Sequence, residues 1–162
     1  MTNLSAAFST VTIPAGTTPL GVAVAPNGNV YVGNANSANV TVISSATNTV
    51  LATVPAGSDP AMIAVAQNGN VYVTNQSSNT VTVISSATNT VLATVPTGGG
   101  PFALAVAPNG NVYVGNSTSN TVTVISSATN RSWPPSPSAR SRTRWRWRPT
   151  ATSTSPTGTR TP

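Results

Sequence analysis

The sequence repeats itself every 41 residues, and this period constrains its fold more than any other feature. Three glycines mark the same position in successive copies: Gly28, Gly69 and Gly110. The block PNGNVYVGN and its variants occupy 26–34, 67–75 and 108–116, and the block VTVISSATN occupies 40–48, 81–89 and 122–130. A period of this length is typical of architectures in which each unit buries a face against its neighbours.

Within one period, apolar and polar residues alternate every second position, which predicts β-strands. In the second copy, Asn68-Gly69 separates two such runs. Asn-Gly between alternating apolar runs predicts a hairpin with a type I′ turn, in which both residues have positive φ. Two further strands are predicted at 79–84 and 90–95. Four short antiparallel strands in about 40 residues are the size and content of one β-propeller blade.

We therefore predict an all-β chain, with an incomplete propeller of about three four-stranded blades over residues 1–130. The first three strands of each blade are expected within 20–48, 61–89 and 102–130, and fourth strands at 49–55 and 90–96. Residues 9–16 resemble a spare fourth strand. Since propellers close with about four to eight blades, we expect the end blades to have open faces and unpaired edges. Self-association through these almost uncharged edges is expected.

The strand after each Asn-Gly turn carries a recognisable motif. Residues 72–75 read YVTN, and residues 31–34 and 113–116 are one-residue variants. Over residues 9–130 the chain resembles the YVTN β-propeller repeats of prokaryotic surface-layer-like and periplasmic proteins. The resemblance implies a non-enzymatic scaffold that binds an unknown protein or carbohydrate, outside the cell or in the periplasm. Some relatives of similar fold are lactonases, so a fragment of a lactonase-like propeller enzyme without its catalytic residues is the alternative.

The localisation stays open on the sequence alone. The first eight residues lack the basic segment and the long apolar run of a signal peptide. No segment approaches the roughly twenty apolar residues of a membrane span.

Side-chain chemistry excludes several kinds of active site. The chain has one acidic residue, no His and no Cys, so a carboxylate pair, a Ser-His-Asp triad, a zinc site or a disulfide cannot form within it. We interpret Asp59 as a turn residue that bonds its own backbone. Tyr31, Tyr72 and Tyr113 are interpreted as packing on one face of their sheets, with a channel-lining ring as the alternative. We therefore assign no catalytic, cofactor-binding or metal-binding residue and expect no cofactor.

The composition changes abruptly after Asn130. All seven basic residues are arginines, and all of them lie beyond this point. All three tryptophans lie there as well. We predict that residues 131–162 are a disordered tail rich in Arg, Pro, Ser, Thr and Trp. The functional alternative lies in Arg140–Arg148, where Arg and Trp alternate as in segments that bind nucleic acids or anionic membranes. We expect a nucleic acid or a membrane as a partner only if residues 131–162 are genuine.

A reading-frame shift would account for this tail. Codons for residues 131–157 can be chosen that, read from the third base of the first codon, encode VVATVPVGTEPDPVAVAPNGNVYVTN. This is the expected fourth repeat, and its NGN glycine falls at the codon of Ala151, 41 residues after Gly110. The protein sequence largely fixes two bases of each new codon. Agreement of the shifted frame with the repeat, in both amino-acid sequence and register, is therefore hard to obtain by chance. We hypothesise a single-base deletion at codon 131 that truncates a longer propeller.

The gene itself tests this hypothesis. We expect the DNA of codons 131–157, read in the shifted frame, to encode the fourth repeat. Sequencing genomic DNA across codon 131 measures this directly. Third bases that are incompatible with the repeat would show instead that the Arg- and Trp-rich segment is genuine.

Overall fold

The computed structural model describes residues 10–133, in which the strands form three antiparallel sheets. The first sheet contains β1 (Pro19–Val24), β2 (Asn29–Asn34), β3 (Asn39–Ser44) and β4 (Thr49–Pro55). The second contains β5 (Pro60–Val65), β6 (Asn70–Asn75), β7 (Thr80–Ser85) and β8 (Thr90–Pro96). The third contains β9 (Pro101–Val106), β10 (Asn111–Asn116), β11 (Thr121–Ser126) and β12 (Arg131–Ser132). Each sheet pairs its strands in chain order, which confirms the prediction of three four-stranded blades.

The N-terminal and C-terminal ends of the described range differ in strand pairing. Residues 10–18 form no strand, so residues 10–16 of the predicted spare fourth strand are not paired with any strand of the range 10–133. The segment predicted to be disordered begins with β12, whose Arg131 and Ser132 pair with Ser126 and Ile125. Residues 134–162, the rest of that segment, lie outside the described residues, so their disorder stays a prediction.

The hairpin predicted at Asn68-Gly69 is present, but the predicted type I′ turn is wrong. Gly69 has a φ of 84°, whereas Asn68 keeps a negative φ. The Gly69 N–H donates to the Ala66 carbonyl at 2.9 Å, and the Ala66 N–H donates to the Asn70 carbonyl at 2.9 Å. This is a type I turn followed by a left-handed glycine. The Asn68 side chain favours it, because its Oδ1 accepts the Asn70 N–H at 3.0 Å.

The core lies between the blades. Each blade has a tyrosine face, made in the first blade by Tyr31, Val40, Val42 and Val54. Its opposite side is the valine face, made in the second blade by Val71, Val73 and Ile84. The tyrosine face of the first blade packs on the valine face of the second. The same arrangement joins the second blade to the third, through Tyr72, Val81, Val83 and Val95 on one side and Val112, Val114 and Ile125 on the other.

Ala38 adopts a strained backbone conformation that one substitution should relieve. Its φ is 52°, and the equivalent residues Asn79 and Asn120 have a φ of 55°. An L-residue with a Cβ pays roughly 1–2 kcal/mol in this left-handed region, and Asn tolerates it better. We expect Ala38→Asn to raise the free energy of unfolding by about 1 kcal/mol, measured by urea denaturation. The control is Ala46→Asn, in a turn where φ is negative; an equal gain in both variants would contradict this explanation.

Candidate binding surface

The tyrosines link one blade to the next. The Tyr31 hydroxyl donates to Asn89 Oδ1 at 2.7 Å, and the Tyr72 hydroxyl donates to Asn130 Oδ1 at 2.8 Å. Both acceptors belong to the following blade, and both tyrosines are fully buried. Their interpretation as packing residues is therefore confirmed, and these two do not line a channel. Tyr113, at the same position of the third blade, is 41% exposed.

Burial also sets the acidity of these two hydroxyls. Desolvation raises the pKa of Tyr31 and of Tyr72 above the ordinary value of 10.0. Side-chain hydrogen bonds from Asn29 and Asn70 oppose that rise in pKa but are the smaller effect. Both tyrosines are therefore neutral hydrogen-bond donors at physiological pH.

A buried asparagine closes each blade at the opposite end. The Asn75 Nδ2 donates to Thr80 Oγ1 at 3.1 Å and to Thr82 Oγ1 at 2.9 Å, which ties β6 to β7. Asn34 and Asn116 make the equivalent bonds in their own blades. The Oδ1 atoms of all three are buried without a partner among the described residues. The polar groups in the interior are thus neutral amides and hydroxyls rather than charged groups.

The differences between the repeats concentrate at one end of the blades, which we call the variable end. It contains the turns that precede each inner strand (16–18, 57–59, 98–100) and the turns between the second and third strands (35–38, 76–79, 117–120). The first halves of the inner strands β1, β5 and β9 also differ. At the other end, the NGN and SSATN turns are identical in all three blades, and only Pro26, Gln67 and Pro108 break the repeat there.

Backbone and side-chain hydrogen bonds hold the two kinds of turn together at the variable end. The Gln76 N–H donates to the Asp59 carbonyl at 2.9 Å, and Ser77 Oγ donates to Asp59 Oδ2 at 3.3 Å. Asp59 has a φ of 60°, so it is the turn residue we predict, although its carboxylate accepts from Ser77 rather than from its own backbone. The Asn36 amide similarly donates to Thr18 Oγ1 at 2.8 Å.

Apolar side chains accompany these polar turns. Leu20, Met62 and Phe102 lie on the first halves of the inner strands and are 53%, 41% and 47% exposed. The variable end thus combines exposed apolar groups with amides and hydroxyls, and Asp59 is its one charged side chain among the described residues. Exposed apolar side chains together with amides and hydroxyls suit the binding of an uncharged, hydrogen-bonding ligand.

The usual side-chain patterns of metal sites and of membrane-spanning helices are both absent between residues 10 and 133. This range contains no cluster of three or more His, Cys, Asp or Glu side chains. None of its helices is long and apolar enough to cross a bilayer.

The tyrosine face of the third blade is open to solvent. A cavity of about 400 Å³ lies on it, lined by Phe102, Ala103, Gly115, Asn116 and Val122 among others. In the first blade, the equivalent glycine, Gly33, is covered by Pro60 of the second blade. The cavity therefore occupies the position that the first strand of a following blade fills elsewhere in the molecule.

Comparison with known proteins supports the architecture. No protein-family model and no curated protein matches the chain. Among solved structures, the WD40 β-propeller domain of Doa1 is similar, with a TM-score of 0.57 and 20% identity over 65% of this chain and 36% of that one. The fold is that of a β-propeller.

Two further solved structures resemble the chain. Virginiamycin B lyase from Staphylococcus aureus, in a catalytically inactive form with quinupristin, has a TM-score of 0.63 and 17% identity over 75% of this chain and 43% of that one. Hydrazine synthase of Kuenenia stuttgartiensis has a TM-score of 0.68 and 21% identity over 78% of this chain and 37% of that one. This propeller chain thus spans less than half the length of each of these structures.

Sequence reasoning missed the variable end, although its signal is present in the sequence. Between the first and second copies the residue changes at positions 17, 18, 20–22, 26, 33, 35, 36, 38 and 39 of the first copy, and all of these except 26 belong to the variable end or flank it. Aligning the three copies reveals these positions. Only the direction of the strands shows that they share one end of the propeller.

The bond from Tyr72 to the third blade has a measurable effect on stability. We expect Tyr72→Phe to lower the free energy of unfolding by about 1 kcal/mol at pH 7, because it removes one buried hydrogen bond. A raised pKa in the folded state adds stability that is complete below pH 10 and is lost as pH rises through that pKa. The difference between the wild-type chain and the variant should therefore shrink above pH 10.

Urea denaturation between pH 7 and pH 11 measures both effects. The matched control is Tyr113→Phe, at a protein concentration that keeps the chain monomeric, because Tyr113 is exposed. A loss in the control equal to that in Tyr72→Phe would contradict the role of the link between blades.

Proposed function

We propose that this β-propeller is a non-enzymatic scaffold that binds a protein or carbohydrate at its variable end. The observation that carries the proposal is the placement of the differences between near-identical repeats. Repeats that served only the fold would have no reason to differ at one end and agree at the other. Loops held on a rigid scaffold commonly carry binding function.

The chemistry of the chain supports a role without catalysis. The similar virginiamycin B lyase is described as catalytically inactive when a histidine is replaced by alanine. This chain contains no histidine that could take such a place, and its one carboxylate, Asp59, is held in a turn. Amides and hydroxyls remain, and these suit recognition by hydrogen bonding.

The chain is further proposed to be a fragment of a longer propeller. The hypothesised frameshift supports this, since codons that fit residues 131–157 can also encode a fourth repeat in register. The open tyrosine face of the third blade supports it independently, because a following blade would bury that face. The lyases among the similar structures favour a second candidate, in which the longer protein is an enzyme whose catalytic residues lie on other blades. Activity of a chain with its reading frame restored would support the second candidate.

Substitutions at the two ends test the proposed binding surface. The full chain is screened on a printed glycan array and on an immobilised peptide library, and the affinity for each hit is then measured. We expect Met62→Ala and Gln76→Ala, at the variable end, to weaken binding at least tenfold, because they remove an exposed apolar contact and a polar one.

The matched controls lie away from that end. Leu92→Ala removes a similarly exposed apolar side chain from the outer strand β8, and Thr88→Ala changes a turn at the other end. Both should bind like the wild-type chain. Hits that lose affinity only with the control substitutions, or an absence of hits in both screens, would overturn the proposal.

A further inference from the structure

The third blade exposes a face that is buried in both other blades. Tyr113 is 41% exposed and Val122 is 64% exposed, whereas their equivalents Tyr72 and Val81 are fully buried. In the second blade, this burial comes from the valine face of the third blade. The third blade thus presents a tyrosine face that matches an interface already used twice within the chain.

The first blade presents the complementary half. Val22 and Val24 are each 61% exposed. Their equivalents in the second blade, Ile63 and Val65, pack against the tyrosine face of the first blade. The hydrogen-bond acceptor is also available, because Asn48 occupies in the first blade the position that Asn89 occupies in the second.

The outer edge of the third blade is incomplete as well. β12 pairs with Ile125 and Ser126, and the Trp133 N–H donates to the Val124 carbonyl at 2.8 Å, so the first half of β11, residues 121–123, has no fourth strand among the described residues. Residues 12–16 read TIPAG, which matches TVPAG at residues 53–57 around the end of β4. In β4, Val54 pairs with Val40. By the same register, Ile13 would pair with Val122.

We propose that two copies of this chain assemble head to tail, with the tyrosine face of the third blade of one copy on the valine face of the first blade of the other. Residues 12–16 of the second copy then complete the outer edge of β11 beyond Trp133. Such an interface is heterologous, and repeating it once more between the same two copies closes a ring of six blades, within the usual range of about four to eight.

The chemistry of the faces favours a second copy over a charged partner. Asp59 and Arg131 are the charged side chains between residues 10 and 133, and neither belongs to the apolar clusters between the blades. The contact is therefore apolar with one tyrosine hydrogen bond, as between the blades of one chain. Its affinity should change little with salt concentration.

A cysteine pair tests the contact directly. Within the chain, a Cβ built at Gly33 lies 3.7 Å from Pro60 Cβ, a separation that a disulfide requires. The proposed contact places Gly115 of one copy against Pro19 of a second copy in the same way. The full chain with Gly115→Cys and Pro19→Cys should form disulfide-linked dimers or longer head-to-tail chains under mild oxidation, visible on a non-reducing gel.

Two control pairs make the result specific. Gly33→Cys with Pro60→Cys should form a disulfide within one chain, which shows that the geometry permits the bond. Leu92→Cys with Pro19→Cys places an equally accessible thiol on the outer strand and should give no more dimer than either single variant. Cross-linking of the Gly115 pair no greater than that of the Leu92 pair, while the Gly33 pair closes, overturns the proposal.

Sedimentation of the chain without cysteines provides an independent test. We expect Val122→Glu to weaken association at least tenfold, because it places a charge in the apolar contact. Val91→Glu, on the outer strand β8, should associate like the wild-type chain, and circular dichroism verifies that both variants are folded. A wild-type chain that stays monomeric at high concentration, or equal effects of both substitutions, overturns the proposal.

Discussion

Packing of one blade on the next is the interaction on which the whole structure depends. A single sheet of this repeat is apolar on both sides, because its middle strands carry consecutive apolar residues, such as Val71-Tyr72-Val73 and Val83-Ile84, whose side chains point to opposite sides. Such a sheet cannot expose one side to water as many antiparallel sheets do. It gains stability only when both sides are covered, so the repeat must be stacked, and the stacking defines the propeller.

The near absence of charge follows from the same constraint. Polar groups enter the interior as neutral amides and hydroxyls, exemplified by Asn75 and its two threonine partners. Neutral groups of this kind are cheaper to bury than charged ones, and their hydrogen bonds fix the register of neighbouring strands. The result is a scaffold whose folding depends little on electrostatics, apart from the titration of Tyr31 and Tyr72 at alkaline pH.

Much of this architecture can be predicted from the sequence, because the period of two within a period of 41 residues specifies both the strands and their repetition. The turn type at Asn68-Gly69 could not be predicted from the dipeptide alone, because it also depends on the hydrogen bond that the Asn68 side chain accepts from the Asn70 N–H. The partners of the tyrosines were also beyond the sequence, because Tyr72 and Asn130 are far apart along the chain and meet only across two blades. The variable end could be recognised only once the direction of every strand was known.

The Asn-Gly turns have a consequence for the chemical ageing of the protein. An asparagine followed by glycine deamidates when the glycine amide nitrogen attacks the side-chain carbonyl. In the folded chain, that nitrogen is engaged at each turn: the Gly28, Gly69 and Gly110 N–H groups donate to the carbonyls of Ala25, Ala66 and Ala107. Deamidation should therefore proceed mainly from opened or unfolded molecules. The aspartate and isoaspartate accumulated at Asn27, Asn68 and Asn109 would record how long a sample has spent outside its native state.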